Sequence, residues 1–426
     1  MSGDQLLFLL AVAQLVVPRR WGAAPILAGA CYLPIGTGGA GLEIGGFSFY
    51  SIRLLLAVAL VRLLLRSERL VGPMNSLDKA MLIWSGIALA SGLFYPDVGA
   101  ALVSRAASVY TATGTYFVLR LLCATMDDAI RLCRALALLL IPLAIAMLNE
   151  KLTGTNYFAR FGGVLELSAV RNDSIRAQGS FLHAITAGSV GAACLPLMAA
   201  LWRTNRKTSV VGGLASLVLI FSTASSGPLA SSALAVAASV MWKWRHRMRL
   251  LRWGAVLGVL ALNMVMNAPV WFALSYIDLT GSSTSWHRAA LIDAAVTHWT
   301  EWWLYGTSYT RHWLPYGVTW SGNHVDITNY YLRMGVDGGL PLMLSFIWVL
   351  SRGFSIVGLR AATSETTAAD NYSAFVAWTF GASLFSHAAS FFSLSYYDQS
   401  VLFLYLTLAL IATCKNTIPL TAQSDS

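Results

Sequence analysis

The residues best suited to chemistry in this sequence lie in the stretch "NHVDITNYYLRMGVDGGL" at 323–340. A neutral imidazole such as that of His324 can accept a proton from a hydroxyl group near neutral pH, and the carboxylate of Asp326 can orient or relay that proton. Asp326, Asn329 and Arg333 are spaced three and four residues apart, so a helix would place them on one face. We therefore predict that His324 and Asp326 are catalytic and that Asn329 and Arg333 bind the substrate.

Five arginines fall in two long connectors that are otherwise poor in basic residues. They are Arg160, Arg171, Arg176, Arg288 and Arg311. The planar guanidinium group matches the oxygens of a phosphate, so these residues suit an anionic ligand. Arg176 stands before "AQGSFLHAITAG", and Arg288 follows "SSTSW". The alternative is that they are ordinary loop arginines that pair with Glu166 or Asp173.

The elements that must position these residues are membrane-spanning helices. Residues of the set AVILMFWYC make up 57% of the 426 residues and only 11% are charged, whereas water-soluble domains carry about 25% charged residues. Thirteen apolar segments indicate helices of the kind that cross a bilayer. They cover 4–17, 21–36, 47–65, 80–94, 105–124, 135–148, 183–202, 208–222, 228–242, 253–274, 329–351, 372–392 and 397–414. The sequence therefore predicts an all-α polytopic membrane protein with about 12 to 14 spans, in which residues 1–426 form a single integral membrane domain.

The basic residues predict how these spans are oriented. The net charge of +10 comes mostly from Lys and Arg in short connectors, which is the positive-inside pattern of a membrane protein and not a nucleic-acid-binding surface. The run "KWRHRMRLLR" at 243–252 is accordingly predicted to be a cytoplasmic loop, with a lipid-headgroup site as the alternative. Connectors 37–47 and 223–227 contain no Lys or Arg and alternate with the basic ones. They belong on the opposite face.

Two connectors on that opposite face, about 149–182 and 275–328, are longer than ordinary loops, and loops of this length are usually functional or disordered. The second is rich in Trp, which suits a folded loop along the membrane interface. Within it, 287–306 has the helical spacing of apolar residues, so we predict an interfacial helix there. The loop at 275–328 is thus predicted to be large, partly helical and external.

Other residues give weaker signals. Arg53 and Arg120 fall inside apolar segments, where each could bind a phosphate or extend to the interface. The small residues of 222–238 favour close helix packing, and "GVDGG" at 335–339 favours a close helix contact or a kink. No nucleotide-binding motif is present, and no Cys or His spacing is typical of a metal site, so no cofactor is predicted.

Four of these stretches, in this order, resemble the O-antigen ligase and polymerase superfamily of bacterial polysaccharide assembly. "RAQGSFLHAITAG" at 176–188 resembles the family's Arg-x-x-Gly-(Thr/Ser)-Phe segment, and "STASSGP" at 222–228 resembles its Ser/Gly-rich segment two spans later. "WHRAALIDAAVTHWTEWWLYG" at 286–306 resembles the helix of the large periplasmic loop that begins at an arginine. "NHVDITNYYLRMGVDGGLPL" at 323–342 resembles the His-Asn segment that leads into the next helix. The resemblance covers about 170–350.

The resemblance implies a GT-C-like glycosyltransferase of the bacterial inner membrane, with its active site on the periplasmic side. Its donor would be an undecaprenyl-diphosphate-linked oligosaccharide, and its transfer reaction would use no metal and no cofactor. The family's two functional arginines correspond to Arg176 and Arg288, which would hold the diphosphate. Besides this donor and the membrane lipid bilayer, the expected partners are a chain-length regulator or other polysaccharide-assembly proteins.

The resemblance also implies a role for the histidine, but with a departure from the family's pattern. The family's histidine corresponds to His324, which would activate the acceptor hydroxyl. In the family it is adjacent to the asparagine, whereas here four residues separate His324 from Asn329. If Asn329 is the anchor, Thr328 takes the place of the histidine and Asp326 becomes the residue that contacts the acceptor.

Three functions are compatible with these features. A polymerase would transfer the glycan to another lipid-linked repeat unit, a ligase would transfer it to lipid A core or a protein, and a transporter or flippase would move it. The separated His-Asn pair resembles exopolysaccharide and O-antigen polymerases more than ligases. A transporter predicts repeat symmetry between the two halves of the chain, which the sequence does not show.

Overall fold

The computed structural model describes residues 2–35, 42–44, 46–70, 72–276, 284–319, 321–362, 368–397 and 399–415. Three quarters of the structure is helical and almost none of it is sheet, which confirms the predicted all-α class. Most of the glycine-rich connector at 37–47 lies outside the described residues, and so do residues 277–283 and 320 of the Trp-rich loop.

The helices of the described residues follow the apolar segments of the sequence. They are α1 (Gly3–Val16), α2 (Ala24–Tyr32), α3 (Ser51–Leu65), α4 (Ser76–Ser91), α5 (Val98–Leu122), α6 (Met126–Thr153), α7 (Ala184–Ala199), α8 (Arg206–Ser222), α9 (Ser226–Val240), α10 (Met248–Val265), α11 (Thr284–Thr297), α12 (Trp299–Trp302), α13 (Tyr330–Ala362), α14 (Ala368–Ser390) and α15 (Ser400–Cys414). Each of the thirteen predicted segments overlaps one of them. Several begin at capping boxes, as α4 does at Asn75 and Asp78, which satisfies backbone N–H groups of the first turn.

Four helical stretches in the described residues are long and apolar enough to cross a membrane. They are Ser76–Phe94, Met126–Thr153, Ser226–Val265 and Tyr330–Ala362. The chain therefore has the character of a membrane protein. The third stretch contains α9, a short 3₁₀ helix (Met241–Arg247) and α10, which is exposed along its length. The basic run at 243–252 begins in the 3₁₀ helix and continues into α10, so it is helical and not the predicted loop.

The main core lies between the long helices. Nearly every residue of α15 is buried, among α5, α13 and α14, and α7 is buried among α8, α9 and α14. Small residues allow these close contacts: a Cβ at Gly188 of α7 would lie 2.7 Å from the ring of Pro228 in α9. The predicted close packing of the 222–238 run is confirmed.

The strands form two short antiparallel hairpins, β1 (Leu42–Ile44) with β2 (Phe47–Phe49), and β3 (Val170–Arg171) with β4 (Ser174–Ile175). Both lie in the long or Arg-free connectors. The second hairpin matters for the site, because it carries Arg171.

The Trp-rich loop folds onto α13 around its own small core. Trp302 and Trp313 are buried there beside Leu291, Val325 and Ile327. The predicted helix at 287–306 is present but broken, because α11 ends at Thr297 and α12 starts at Trp299. The break turns the following residues toward α13.

Helix α13 is kinked where it receives this loop. Gly338 and Gly339 depart from helical geometry, and Gly339 has φ +73°. A Cβ at Gly335 would lie 2.6 Å from the Trp302 ring, and one at Gly339 would lie 2.3 Å from the carbonyl oxygen of Leu304. The predicted kink and close contact at "GVDGG" are confirmed.

Candidate active site

A cavity of about 800 Å³ lies where the two long connectors meet the helices. Its wall combines side chains of the connector between α6 and α7, the turn between α8 and α9, the loop at 284–328 and the first turns of α13. Two aspartates, two histidines and six arginines line it. The arginines are Arg53, Arg105, Arg171, Arg176, Arg288 and Arg333. The excess of cations makes the cavity suited to an anionic ligand.

The first connector presents Arg171 and Arg176 by means of the β3–β4 hairpin. Its two turn residues, Asn172 and Asp173, have φ values of +48° and +57°. Two consecutive residues at positive φ are what a two-residue type I′ hairpin turn requires, and Asn and Asp tolerate that conformation better than most residues. The tight turn therefore sets Arg171 and Arg176 in the wall of the cavity.

The carboxylate of Glu150, near the end of α6, holds this connector in place. It is buried, and it accepts hydrogen bonds from the backbone N–H groups of Gln178 at 2.9 Å and Gly179 at 2.8 Å. It also accepts one from the hydroxyl of Ser168 at 2.8 Å. Three donors compensate for the burial of the charge. Glu150 thereby fixes the backbone two residues beyond Arg176.

Arg176 joins this connector to the turn between α8 and α9. Its Nη2 donates to the hydroxyl of Ser225 at 2.7 Å, and its Nε donates to the carbonyl oxygen of Thr223 at 3.4 Å. The backbone N–H of Ala177 donates to the carbonyl of Ser222 at 3.1 Å. The two sequence stretches that begin at 176 and 222 are therefore adjacent in the fold.

The start of α9 faces the same cavity. Ser225, Ser226 and Gly227 line it, and the side chain of Ser225 does not cap the helix, because it is engaged with Thr223 and Arg176. The first N–H groups of a helix carry partial positive charge and attract anions. This helix end therefore adds to the positive electrostatic potential of the arginines.

Neither Arg171 nor Arg176 has a carboxylate partner among the described residues. This excludes, within that part of the chain, the alternative of pairing with Glu166 or Asp173. Burial, and next the positive charge of Arg171, lower the pKa of Arg176. The cost of placing two cations near each other is relieved when an anion binds between them.

His183 is a further cavity residue beside these arginines. It is the N-cap of α7, and its Nδ1 accepts a hydrogen bond from the N–H of Ile185 at 3.2 Å, which places the ring proton on Nε2. Burial, then Arg176 and Arg171, lower the pKa of His183 to about 4. At neutral pH it is therefore an uncharged hydrogen-bond donor.

The Trp-rich loop supplies another part of the wall. His287 and Arg288 line the cavity from α11, and Asp326 lines it from the segment before α13. The Nε2 atom of His287 lies 3.1 Å from the backbone oxygen of Asp326. Burial raises the pKa of the Asp326 carboxyl, although His287 and Arg333 act against the rise. A carboxylate with a raised pKa is a stronger base.

Arg333 takes part in an ion network at the base of the cavity. Its Nε lies 2.9 Å from one oxygen of Asp337, and Nη1 of Arg105 lies 3.2 Å from the other. Arg105 also donates from Nη2 to the backbone oxygen of Asp337 at 2.6 Å. One carboxylate shared by two guanidinium groups leaves net positive charge in the wall and holds both arginines in position.

The structure brings four of the six predicted site residues together in the cavity, namely Arg176, Arg288, Asp326 and Arg333. The helical stripe expected of Asp326, Asn329 and Arg333 is not formed, because α13 begins only at Tyr330. Asp326 precedes the helix in an irregular segment, where Val325 and Ile327 are buried and Asp326 lines the cavity.

The other two predicted residues lie outside the cavity wall. Asn329 is buried and its Oδ1 accepts a hydrogen bond from the N–H of Leu332 at 3.0 Å, so it caps α13. Nδ1 of His324 lies 3.2 Å from the hydroxyl of Thr310, across the loop. Burial, then Arg333, lower the pKa of His324. Thr328, in contrast, lines the cavity.

The two weaker candidates, Arg53 and Arg120, lie in different surroundings. Arg53 lines the cavity, where its guanidinium donates to Thr111 and to the backbone of Ser48 and lies 4.2 Å from the centre of the Tyr50 ring. Arg120 is buried elsewhere, 3.8 Å from the carboxylate of Asp78, so it is a structural ion-pair residue and not a phosphate ligand.

Sequence reasoning missed several cavity residues. His183 and His287 both fall within the quoted stretches, one just before an apolar helix and one next to Arg288. Their positions at helix starts were a usable signal, since polar residues there commonly face a ligand or a cap. The contact of Arg105 with Asp337 joins residues 232 positions apart, which no local pattern reveals.

The chain was also compared with known proteins. A scan against protein-family models finds no match, and a search of curated proteins finds none either. The residues of the cavity, and the resemblance of the four stretches, are therefore the basis for assigning a function.

Proposed function

We propose that the chain is a membrane glycosyltransferase that polymerises undecaprenyl-diphosphate-linked oligosaccharide repeat units. The observation that carries this proposal is the convergence of Arg171, Arg176 and Arg288 with Asp326 in one cavity. These residues come from two connectors more than about a hundred residues apart, and they provide the two functions that the reaction needs. One is stabilisation of a leaving diphosphate, and the other is removal of a proton from an acceptor hydroxyl.

The donor diphosphate is assigned to the side of the cavity formed by the first connector. Arg171 and Arg176 offer guanidinium donors, His183 offers a neutral N–H, and the start of α9 offers backbone N–H groups. Arg288 adds a cation from the Trp-rich loop. Negative charge grows on the diphosphate as its bond to the sugar breaks, so donors already in position lower the barrier. With the charge supplied by side chains, the proposed transfer uses no metal.

The acceptor is assigned to the side formed by Asp326. Its carboxylate takes the proton of the acceptor hydroxyl while the oxygen attacks the anomeric carbon of the donor sugar. The bond between that carbon and the diphosphate oxygen breaks, and the diphosphate leaves with the electron pair. Attack from the face opposite the leaving group inverts the anomeric configuration. Asp326 thus replaces His324 as the proposed base. His287 contacts its backbone oxygen, and the positive charge of Arg333 favours its ionised form.

The proposal places the chain in the bacterial inner membrane, with about 12 to 14 spans in a GT-C-like arrangement and the cavity on the periplasmic side. The cavity supports this, because connectors predicted on one face line it: 149–182, 223–227 and 275–328. A diphosphate bound there would leave its polyprenyl chain in the lipid bilayer. The Trp-rich loop packs over the start of α13 and would cover the donor.

The test uses a strain that lacks the gene and is complemented with variants. Arg176→Ala and Arg288→Ala are each expected to lower glycan extension by about a hundredfold or more, since each removes a donor to the developing charge. The readout is the length distribution of lipid-linked glycans on gels, with protein level measured in parallel.

Each variant has a matched control in its own connector. Arg160→Ala changes an arginine that lies over the Tyr157 ring outside the cavity, and Arg311→Ala changes one that donates to the backbone of Leu314. Both should extend glycans normally. Full-length polymer in cells with Arg176→Ala or Arg288→Ala would refute the diphosphate role. Single repeat units in the deletion strain indicate a lost polymerase, whereas long lipid-linked chains would indicate a ligase.

A further inference from the structure

Two imidazoles and one carboxylate meet in the Trp-rich loop, outside the cavity wall. His298 lies between α11 and α12, Glu301 belongs to α12, and His312 belongs to a 3₁₀ turn (Arg311–Trp313). Nδ1 of His298 lies 2.8 Å from Oε1 of Glu301, and Nε2 of His312 lies 3.0 Å from Oε2. One potential ligand atom from each of the three residues lies within 4.8 Å of those of the other two.

These distances suit a metal ion held between the three side chains. Zinc binds His nitrogen and carboxylate oxygen at about 2.0–2.2 Å in a tetrahedral arrangement, which separates neighbouring ligand atoms by about 3.3 Å. The two separations between imidazole and carboxylate, 2.8 and 3.0 Å, are shorter than this and would have to open, while all three ligand atoms lie within 4.8 Å of one another. Side-chain rotation alone would bring them to the distances that the ion needs. Two imidazoles with one carboxylate are a common ligand set for zinc and other divalent first-row metals.

The neighbouring aromatic residues hold these ligands in position. Nε1 of Trp313 donates to Oε2 of Glu301 at 3.0 Å, and the Trp313 ring is parallel to that of His298 within 10°. The Tyr309 ring is stacked on His312 at 5.4 Å. Hydrogen bonds and packing of this kind orient the ligands of metal sites and raise their affinity. Since Trp313 is buried, its position is fixed by the loop core.

We propose that His298, Glu301 and His312 bind one divalent transition-metal ion, of which zinc is the best fit. Glu301 and His312 are exposed, so solvent would complete the coordination. The site is structural, because none of its ligands lines the cavity.

The ion would tie α12 to the segment that leads to Asp326. That segment starts next to the site, where the backbone N–H groups of Thr310 and Arg311 both donate to the carbonyl of Asn323. The N–H of Val325 donates to the hydroxyl of Thr310 at 3.2 Å. Asp326 follows directly, so an ion at His312 would stabilise the segment that presents it.

The experiment measures metal binding by the purified full-length protein, prepared without a polyhistidine tag and freed of metal with a chelator. Zinc added and then desalted should remain at about one ion per chain, and Co²⁺ should give the visible absorption of a tetrahedral site with nitrogen and oxygen ligands. Zinc should also raise the thermal transition temperature. None of these readouts depends on glycosyl transfer.

Variants separate a metal site from a hydrogen-bonded triad. His298→Gln and His312→Gln should weaken zinc binding by more than about tenfold, and Trp313→Phe by about tenfold, as loss of a supporting hydrogen bond does elsewhere. Glu301→Gln keeps a hydrogen-bonding side chain but loses the anionic ligand, so it should also lose the Co²⁺ spectrum. His246→Gln, far along the chain in the basic run, is the control and should bind as the unchanged protein does.

Two results would overturn the proposal. One is that the unchanged protein retains no stoichiometric zinc and gives no Co²⁺ spectrum in tenfold excess of the metal. The other is that Glu301→Gln, folded as judged by circular dichroism and gel filtration, binds zinc with unaltered affinity.

Discussion

At the scale of single residues, the main result is that backbone conformation decides which side chain faces the cavity. Residues 324–328 precede α13 and form neither a helix nor a regular strand, and the N–H of Thr328 donates to the carbonyl of Asp326. Val325 and Ile327 belong to the loop core, and Asp326 and Thr328 line the cavity together with part of Ile327. The helical spacing of Asp326 with Asn329 pointed to a residue that lines the cavity, although the two residues do not share a helix.

The first residue-scale prediction concerns the base. Asp326→Asn should lower the turnover number by about 10²–10⁴-fold, because the amide cannot take the acceptor proton. His324→Gln should change it little, since His324 lies outside the cavity wall and is bonded to Thr310. The measurement is extension of a lipid-linked repeat unit by purified protein in nanodiscs.

The pH profile separates this role from a structural one. Burial raises the pKa of Asp326, and the base must be ionised to work, so activity should fall as the pH drops through that raised pKa. His324→Gln should keep this acid limb. If the limb disappears in His324→Gln and Asp326→Asn remains active, the assignment of the base is wrong. His183, with its pKa lowered to about 4, stays neutral above that pH and should not contribute.

At the scale of elements, the sequence predicted where the helices lie because apolar composition alone marks them. Each of the thirteen apolar segments overlaps a helix of the described residues. The first and last residues of the helices were harder to predict. Asn329 was interpreted as a substrate ligand, although an Asn directly before an apolar helix is also a typical N-cap. No Pro or Gly near His298 predicts the break between α11 and α12. The break instead accompanies the packing of Trp302 against α13.

The kink in α13 is the element-scale feature with the most direct test. Gly339→Ala introduces a Cβ about where the Leu304 carbonyl lies and forces alanine to φ +73°. Such a conformation costs about 1–3 kcal/mol for a residue other than glycine, before the clash is counted. We expect the thermal transition of purified protein to fall by several degrees and extension activity to fall with it, because the Trp-rich loop is displaced.

Gly358→Ala is the matched control in the same helix. Its Cβ meets nothing within 4 Å and its backbone is helical, so alanine should be neutral or slightly stabilising there. Equal transition temperatures for the two variants would show that the contact between Leu304 and Gly339 does not hold the loop.

At the scale of the whole molecule, the cavity gathers residues that the chain keeps far apart. The sequence could predict that Arg176, Arg288 and Asp326 suit anion binding and proton transfer, because those abilities belong to the side chains. It could not predict that His183 and Arg105 join them, since the contacts depend on how helices pack. The hydrogen bond of Tyr95 to the backbone of Val336 and the ion pair of Arg105 with Asp337 show this long-range dependence.

The proposed topology predicts from which side of the membrane each connector can be labelled. All five cysteines of the chain are buried, so an introduced exposed cysteine should be the only one labelled by a membrane-impermeant maleimide. Val170→Cys and Tyr316→Cys, exposed in the two long connectors, should label in intact cells stripped of their outer membrane. Met74→Cys and Thr204→Cys, exposed in the basic connectors, should label only after the inner membrane is disrupted.

The unchanged protein is the control for background labelling. If Val170→Cys and Tyr316→Cys label from different sides, the two connectors cannot share a cavity facing the periplasm, and the proposed reaction loses its site.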